Sequence, residues 1–443
     1  MASYHQGVFG PPSDKLLKVN LNGFRALQVT RLLGRKFCAN PFQMRDGLWH
    51  FDLYGTPYEQ YCPAIPQCNP ADKYRTIDGS CNNLEHPIWG RSVSQFSRIL
   101  PPSYSDGISE FRLSVSGRPL PLARFVSTQL TFTSSQLDPV VNVMFMQWGQ
   151  LLDHDMTLGS STRAFDGTGL LCCNQTHPES ASMHPACREH NRLSRELKRI
   201  NPHWNDETIF QEARRIVGAG RSAMKLNDLM LKNQGYSYSY DPNINPAIMN
   251  EFAASAYRWH SFVQMKNFLF PAGNATFGLD LAAIDIQRER DHGTPPYNEF
   301  RKVCGLPKIR NFQDLNGVLQ PGMAEKFSQI YEHVDDIELF VAGHSEIPLP
   351  EGLVGPTFAC IATEQFRRLK NGDRFWFENG GMPNSFSEQQ LNELRKVTLS
   401  GVLCANGDQI QQIQPFAMII KSRLNQNIDC RNIPQINLKF WQE

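Results

Sequence analysis

The first candidates for chemistry are three polar side chains in the segment 146–155. They are an amide, a carboxylate and an imidazole, at Gln150, Asp153 and His154. Residues separated by three and four positions share one face of a helix, so these groups are predicted to lie together. Titratable groups placed together are typical of functional sites. A hydrogen-bonded network in the core is the alternative interpretation, because every buried polar group needs a partner.

Two further segments combine ionisable side chains with apolar neighbours. Residues 250–260 have the apolar pattern of a helix and end at His260. A lone histidine in such a helix usually has a structural role. Residues 287–296 carry dense charge directly after an apolar run and Asp285. Composition alone favours a solvated helix end for this charged run over a functional site.

The sequence lacks several other catalytic motifs. It has no glycine-rich phosphate loop followed by lysine, no His-Glu-x-x-His zinc helix and no nucleophile elbow around a serine. Cys172 and Cys173 are adjacent and therefore lack CxxC metal-ligand spacing. The formal charge of +1, from 44 basic and 43 acidic residues, gives no long-range attraction to nucleic acid or an anionic membrane. A small-molecule partner is favoured, and a hydrolase or nucleotide enzyme is not.

Helices must position these residues, because apolar residues recur at helical spacing from about residue 139 onward. The helical patterns run over 143–152, 193–200, 209–217, 323–334 and 391–402. Asn201-Pro202 is expected to end the second helix, and Ser387-x-x-Gln390 to cap the last. Strand signals are few and short. Residues 1–60 lack sustained periodicity and are predicted to be irregular, so one mainly α-helical domain over 61–443 is the simplest interpretation.

Cysteine usage and sequons indicate a secretory protein. The chain has eleven cysteines, several in polar loops, and the glycosylation sequons Asn174-Gln-Thr176 and Asn274-Ala-Thr276. No apolar run approaches the about 18 residues that a membrane helix needs. The first ten residues have no apolar signal-peptide core. We therefore expect a secreted protein whose leader is missing from this chain.

The segment Met-Gln-Trp-Gly-Gln-Leu-Leu-Asp-His-Asp at 146–155 resembles the distal helix of the animal haem peroxidases. Segments 74–83, 188–192, 290–293 and 354–360 resemble other parts of the family in the same chain order. The pattern is most similar to the arthropod and peroxidasin-like branches. The resemblance implies one large helical domain with few short strands and a haem b cofactor. It also implies hydrogen peroxide and a small reducing substrate as reaction partners.

On the distal side of the haem, the resemblance implies that His154 is the general base. It would take a proton from hydrogen peroxide and pass it to the leaving oxygen. Gln150 would orient a water or a halide, and Asp153 would form an ester with a haem methyl group. Asp155 lies off that face and matches a calcium ligand, because carboxylate oxygen suits this hard cation.

On the proximal side, His260 matches the iron ligand of the family. Asp285 matches the acceptor for the second ring nitrogen of that histidine, a partner that increases the basicity of the ligand. Arg258 and Arg288 match residues that meet the haem propionates.

The resemblance also implies a set of disulfides. It pairs Cys304 with Cys360 and Cys404 with Cys430, and it makes Cys68 and Cys81 candidates for a third bond.

The sequence departs from the family pattern in several stretches. Between Asp155 and Arg188 it lacks residues that match most of the calcium loop, the catalytic arginine and a second haem-linking carboxylate. Residues 219–235 and 266–272 are also abbreviated. A glycine that the family usually has is missing between Arg258 and His260. Because one residue is a turn of about 100° on a helix, these two side chains keep the family's orientation only if the helix bulges or shifts register.

These departures leave two hypotheses open. The first is an active secreted peroxidase that oxidises phenolic, tyrosyl or halide substrates. The second is a catalytically impaired relative that keeps the fold and acts as an extracellular scaffold or adhesion protein.

Overall fold

The structure is a computed structural model, and it describes residues 14–49, 55, 64–92, 94–130, 140–152, 156–157, 185–225, 234–258, 280–350 and 352–443. The α-helices in these ranges are α1 (Asp14–Lys36), α2 (Pro41–Trp49), α3 (Ala123–Leu130), α4 (Val143–Leu152), α5 (Pro185–Ile200), α6 (Asp206–Lys225), α7 (Leu281–Asp291), α8 (Tyr297–Val303), α9 (Met323–Ile330), α10 (Leu339–Ser345), α11 (Pro356–Asn371), α12 (Glu388–Leu394) and α13 (Leu399–Asn406). A π-helix covers Phe252–Ala256. Short 3-10 helices cover Phe312–Leu315, Val334–Asp336, Cys430–Asn432 and Leu438–Trp441.

The mainly helical fold is confirmed, and its described strands are short. The strand β1 (Gln412–Ile413) pairs antiparallel with β2 (Ile428–Asp429), so that Gln412 lies opposite Asp429. Across the described ranges, none of the helices combines the length and the hydropathy required for a membrane span.

The helices with a buried apolar stripe lie where the sequence predicts them. Helices α4, α5 and α6 match the patterns at 143–152, 193–200 and 209–217, and α5 ends at Ile200, directly before Asn201-Pro202. Ser387 and Gln390 form the expected capping box of α12, with N–H to side-chain oxygen distances of 3.0 and 3.2 Å. The predicted extension of this helix to Val402 is wrong. Thr398 accepts a hydrogen bond from Gly401 N at 3.0 Å and thereby begins the separate helix α13.

Two further predictions of local structure are wrong. Helix α9 ends at Ile330, because Tyr331 has an extended backbone and donates its hydroxyl proton to buried Glu338 at 2.7 Å. The N-terminal segment is helical over 14–36 and 41–49 rather than irregular. The apolar side chains of Phe24 and Leu32 in α1 are 59% and 62% exposed. Over residues 24–36, where its side chains are described, this helix lacks the buried apolar stripe on which the periodicity argument depends.

Buried apolar side chains form two cores. The first core joins α3, α4, the π-helix and α7 to α11, and it includes Val126, Phe252, Ile286, Phe327 and Phe358. The second core joins α5, α6, α12 and the C-terminal 3-10 helix, and it includes Leu197, Ile216, Trp376, Leu391 and Trp441.

All three expected disulfides are present. Cys304 at the end of α8 bonds to Cys360 on α11, Cys404 on α13 bonds to Cys430, and Cys68 bonds to Cys81. Cys38 is an exposed free thiol.

Candidate active site

Helix α4 carries the first group of candidate residues. Its backbone includes Gln150 and ends at Leu152. Asp153, His154 and Asp155 lie outside the described residues, as does the side chain of Gln150. The helix is fixed to the first core by buried Trp148.

A hydrogen bond ties α4 to the π-helix segment. The hydroxyl of fully buried Tyr257 donates to the carbonyl oxygen of Gly149 at 2.5 Å. The two segments that carry the predicted distal and proximal residues are therefore in direct contact. Periodicity gave no sign of this role for Tyr257.

A π-helical turn lies in the helix before Arg258. The N–H of Tyr257 donates to the carbonyl of Phe252 at 3.0 Å, a spacing of five residues instead of the four of an α-helix. All five residues of the π-helix are buried. The extra residue in this turn changes the register of Arg258 relative to the residues before it. His260 itself lies outside the described residues.

The structure brings three of the predicted site residues together. Asp285 on α7 is fully buried, and its Oδ1 lies 3.8 Å from Nε of Arg258. The same oxygen contacts Nη1 of Arg288, one helical turn further along α7. Two guanidinium groups therefore share one carboxylate in a buried setting.

Arginine side chains also surround His292, which lies next to this cluster. Burial, together with the charges of Arg98, Arg288 and Arg258, lowers the pKa of His292 to about 4. Its Nδ1 lies 2.6 Å from the side-chain oxygen of Asn250, and its carbonyl accepts a hydrogen bond from Arg98 at 2.6 Å. At the cluster itself, Arg258 and Arg288 outnumber the single carboxylate of Asp285, and this makes the cluster suitable for an anionic group. Arg98 lies in the loop-rich stretch before residue 120, where no sequence signal marked it.

The charged run 287–296 is not a solvated helix end, contrary to the prediction from composition. Glu289 is buried and accepts hydrogen bonds from the N–H of Phe340 at 2.9 Å and from the hydroxyl of Ser255. Arg290 pairs with Glu338 at 2.5 Å. Glu338 neutralises Arg290, and Ser255 and Phe340 hydrogen-bond to Glu289. Because these partners come from distant segments of the chain, the run can lie inside the protein.

Burial raises the pKa of Glu289 to about 8, with a further contribution from nearby Glu338. Glu289 therefore holds a proton at neutral pH. Through its bonds to Ser255 and Phe340 it joins the π-helix to the beginning of α10.

Both ends of α7 are fixed by specific contacts. Asp280 caps the first turn by accepting from Ala283 N at 3.1 Å, and it also accepts from Ser127 at 2.9 Å and contacts Arg124. At the other end, Gly293 has a φ of +58°, and a Cβ atom there would lie 2.5 Å from the ring of Tyr104. Only glycine fits this left-handed, closely packed turn.

The sequence belongs to the animal haem peroxidase family. The sequence model of that family matches residues 74–187, 180–270 and 263–418. A "Peroxidase" of Drosophila melanogaster is 28% identical over 582 residues, with coverage of 86% of this chain and 84% of that protein. A "Chorion peroxidase" of the same organism is 30% identical, with coverage of 87% and 73%.

Longer relatives and solved structures agree with this assignment. A human "Peroxidasin homolog" is 28% identical over 84% of this chain, which spans 39% of that protein. Peroxidase A from Dictyostelium discoideum has the same fold, with a TM-score of 0.61, 20% identity, and coverage of 78% of this chain and 99% of that one. A fatty acid alpha-dioxygenase of Arabidopsis thaliana follows, with a TM-score of 0.60, 15% identity, and coverage of 78% and 82%.

Membership of this family of haem-dependent peroxidases implies haem as the cofactor, and hydrogen peroxide and a reducing substrate as the reaction partners. The alignments also show that the chain is shortened. One runs over 582 residues although the chain has 443, so the relative contains stretches without a counterpart here. The family match is divided at 180–187 and 263–270, next to two of the stretches that look abbreviated in the sequence.

Proposed function

We propose that this protein uses hydrogen peroxide to oxidise small phenolic, tyrosyl or halide substrates outside the cell, with the haem peroxidase domain over 61–443. The observation that carries the proposal is the buried cluster of Arg258, Asp285 and Arg288 next to the first core, in a chain of the animal haem peroxidase family. The three disulfides and the two sequons support an extracellular setting.

The described residues fit a haem. Two arginines around one carboxylate leave a net positive charge at the cluster. Haem propionates are the anions that would balance it, held by Arg258 and Arg288 through charge-assisted hydrogen bonds. Bound haem would supply the redox-active iron on which peroxide chemistry depends.

The proximal residues would set the strength of the iron ligand. His260 would bind the iron through one ring nitrogen, and Asp285 would accept a hydrogen bond from the other. The contacts of Asp285 with both arginines hold that carboxylate in a fixed orientation. A fixed anionic acceptor increases the electron density on the histidine ligand.

The distal residues would move the protons. His154 would take a proton from hydrogen peroxide and deliver it to the departing oxygen, so that the O–O bond breaks heterolytically. Gln150 would orient a water or a halide beside it, and Asp153 would provide an ester link to the haem. The bond between Tyr257 and Gly149 fixes the helix that carries these residues against the proximal segment.

A calcium ion at Asp155 would be bound weakly. Calcium prefers about six to eight oxygen ligands. By resemblance to the family, the stretch after Asp155 lacks most of the calcium loop. We therefore expect any calcium bound here to be held loosely.

A second candidate function is that of a catalytically impaired extracellular scaffold or adhesion protein. It is favoured by the missing match for the catalytic arginine and by an alignment longer than the chain itself. Fixed positive charge at a developing anion often contributes about a hundredfold or more in rate. Its loss would lower turnover without affecting the fold.

The experiment that separates the two functions is the absorption spectrum of the haem-supplied full chain before and after hydrogen peroxide. An active peroxidase binds haem with an intense Soret band, changes spectrum on addition of peroxide, and returns to the starting spectrum when guaiacol is added. His154→Ala is expected to slow the spectral change without loss of haem. A haem complex that does not respond to peroxide would contradict the enzymatic proposal and support the scaffold.

A further inference from the structure

A cavity lies away from the candidate haem site. It has a volume of about 400 Å³ and lies between α6 and the segment 373–386. Small-molecule sites have volumes of roughly 300–1,000 Å³. Trp376 and Phe386 of the second core form part of its wall, whereas Arg258, Asp285 and Arg288 do not line it. The cavity is therefore distinct from the haem site on the first core.

The cavity wall carries more positive than negative charge. Its cations are Lys73, Arg75, Arg214 and Arg215. Two carboxylates balance part of this charge. Glu212 lies 2.5 Å from the ammonium of Lys73 and 3.2 Å from Arg215, and Asp373 lies 2.7 Å from Arg75.

Arg214 has no carboxylate among its described partners. It donates to the carbonyl oxygens of Arg75 and Thr76 at 2.7 and 2.9 Å. Burial lowers the pKa of Arg214, and the neighbouring charge of Arg75 lowers it further. A carboxylate at this wall would supply the missing counter-charge.

Two buried acceptor atoms at the cavity lack a hydrogen-bond partner in the described part of the chain. They are Oδ1 of Asn384 and Nδ1 of His190. The side-chain amide of Asn384, which is 5% exposed, donates to the carbonyl of Arg374 at 3.1 Å, so its oxygen must face elsewhere. Nε2 of His190 lies 3.3 Å from the carbonyl of Phe210 and acts as the donor there, which makes Nδ1 an acceptor in the neutral ring. Both residues line the cavity, and a donor group of a ligand would satisfy either acceptor once its side chain turns toward the cavity.

Aromatic rings form the apolar part of the wall. They belong to Tyr74, Phe375, Trp376, Phe377 and Phe386. The guanidinium of Arg215 stacks on the ring of Phe386, 3.6 Å from its centroid. Flat apolar surfaces beside cations suit a flat aromatic ligand.

We propose that this cavity binds a small aromatic carboxylate that also carries a hydroxyl or amino donor, with the carboxylate at Arg214 and the donor at Asn384. The site requires neither haem nor peroxide. Its existence is therefore independent of the proposed peroxidase function.

The first test compares three probes by isothermal titration calorimetry with the haem-loaded full chain and no peroxide. The probes are 4-hydroxyphenylacetate, phenylacetate, which lacks the donor, and 4-hydroxyphenylethanol, which lacks the carboxylate. We expect 4-hydroxyphenylacetate to bind once per chain and at least tenfold more tightly than either analogue, without a shift of the Soret band. Equal affinities for the three probes, or no binding at millimolar concentration, would overturn the proposal.

The second test determines whether 4-hydroxyphenylacetate binds at Arg214. Arg214→Gln keeps a donor for the backbone carbonyls and removes the charge, so we expect at least tenfold weaker binding of 4-hydroxyphenylacetate. Arg199→Gln is the matched control, because Arg199 is exposed on α5 and pairs with Glu196 at 2.9 Å. Its affinity should equal that of the unmodified chain. Unchanged affinity in Arg214→Gln would place the probe elsewhere and overturn the proposal.

Asn384→Leu tests the donor. This variant should bind 4-hydroxyphenylacetate no more tightly than phenylacetate, because the orphaned acceptor is gone. Retained preference for the hydroxylated probe would contradict the assignment. If the variant does not fold, the comparison of probes with the unmodified chain decides the question.

Discussion

The two cores treat buried polar groups in different ways. In the first core, Arg290 pairs with Glu338, and Glu289 accepts from Ser255 and from the backbone of Phe340. In the second core, Arg214 bonds only to neutral oxygens among its described partners, and two acceptors at the cavity have no described partner. The contacts of Arg290 and Glu289 hold the elements around them in place. The side chain of Arg214 and the two acceptors keep bonding capacity for a ligand.

The largest effect is expected from breaking the closed network of the first core. Glu338→Gln removes the charge that balances Arg290, whose side chain is 9% exposed. An unbalanced buried charge costs about 3–5 kcal/mol in the free energy of unfolding. Urea denaturation measures the loss. Glu196→Gln, which breaks an exposed pair on α5, should change stability little, and equal effects of the two substitutions would contradict the contrast between closed and open regions.

A smaller effect is expected from Arg288→Gln, which removes one of the two guanidinium groups at Asp285. If Arg288 holds a haem propionate, its loss should weaken haem binding about tenfold or more, because hydrogen bonds to charged groups contribute roughly 1.5–3 kcal/mol. Competition for haem with apomyoglobin measures the affinity. Arg301→Gln is the control for a general loss of stability, because it removes a buried charge on α8 that lies 3.5 Å from Glu346. Unaltered haem affinity in Arg288→Gln would separate this arginine from the haem.

The pH dependence of stability tests the buried carboxyl of Glu289. Its pKa is raised from 4.5 to about 8, so between these values the folded protein holds a proton that the unfolded chain has released. Stability therefore falls as pH rises. His292 has a pKa lowered from 6.5 to about 4, so its contribution rises with pH in that interval and opposes the first.

Above pH 6.5, of these two residues only Glu289 still makes the free energy of unfolding depend on pH. We expect a loss of up to about 1.4 kcal/mol per pH unit between pH 6.5 and 8, measured by urea denaturation at both pH values. Glu289→Gln should remove this loss. A variant that keeps the slope of the unmodified chain would assign it to other groups.

The smallest effect is expected at an exposed helix end beside the second core. Ser387→Ala removes the side chain that caps α12, at a cost of about 1 kcal/mol in the free energy of unfolding. Thermal unfolding measures it. Ser387→Gly should restore most of the loss, and a Ser387→Ala variant as stable as the unmodified chain would show that the capping box contributes nothing here.

The sequence predicts those elements whose cause is local. Helices with one buried face, such as α5 and α6, follow from periodicity. The disulfides follow from family resemblance. Helix α1 was missed because its apolar residues are exposed, so no stripe marks a buried face.

Features that depend on distant partners escaped prediction. The burial of Glu289 and Arg290 requires partners from α10 and from Glu338, about fifty residues further along the chain. Arg98 reaches the carbonyl of His292 across 194 positions. Charge density in the sequence cannot distinguish such an internal network from a solvated helix end, because the difference lies in the tertiary contacts.

The central claim is that the protein binds a haem next to the first core, with His260 as the proximal ligand of the iron. The most direct test is a haem titration of His260→Ala beside the unmodified chain, followed in the Soret region and by haem content after gel filtration. The account predicts that the unmodified chain retains one haem and that His260→Ala loses it or shows the spectrum of a haem without a histidine ligand. The same spectrum and the same haem content in both proteins would contradict the claim.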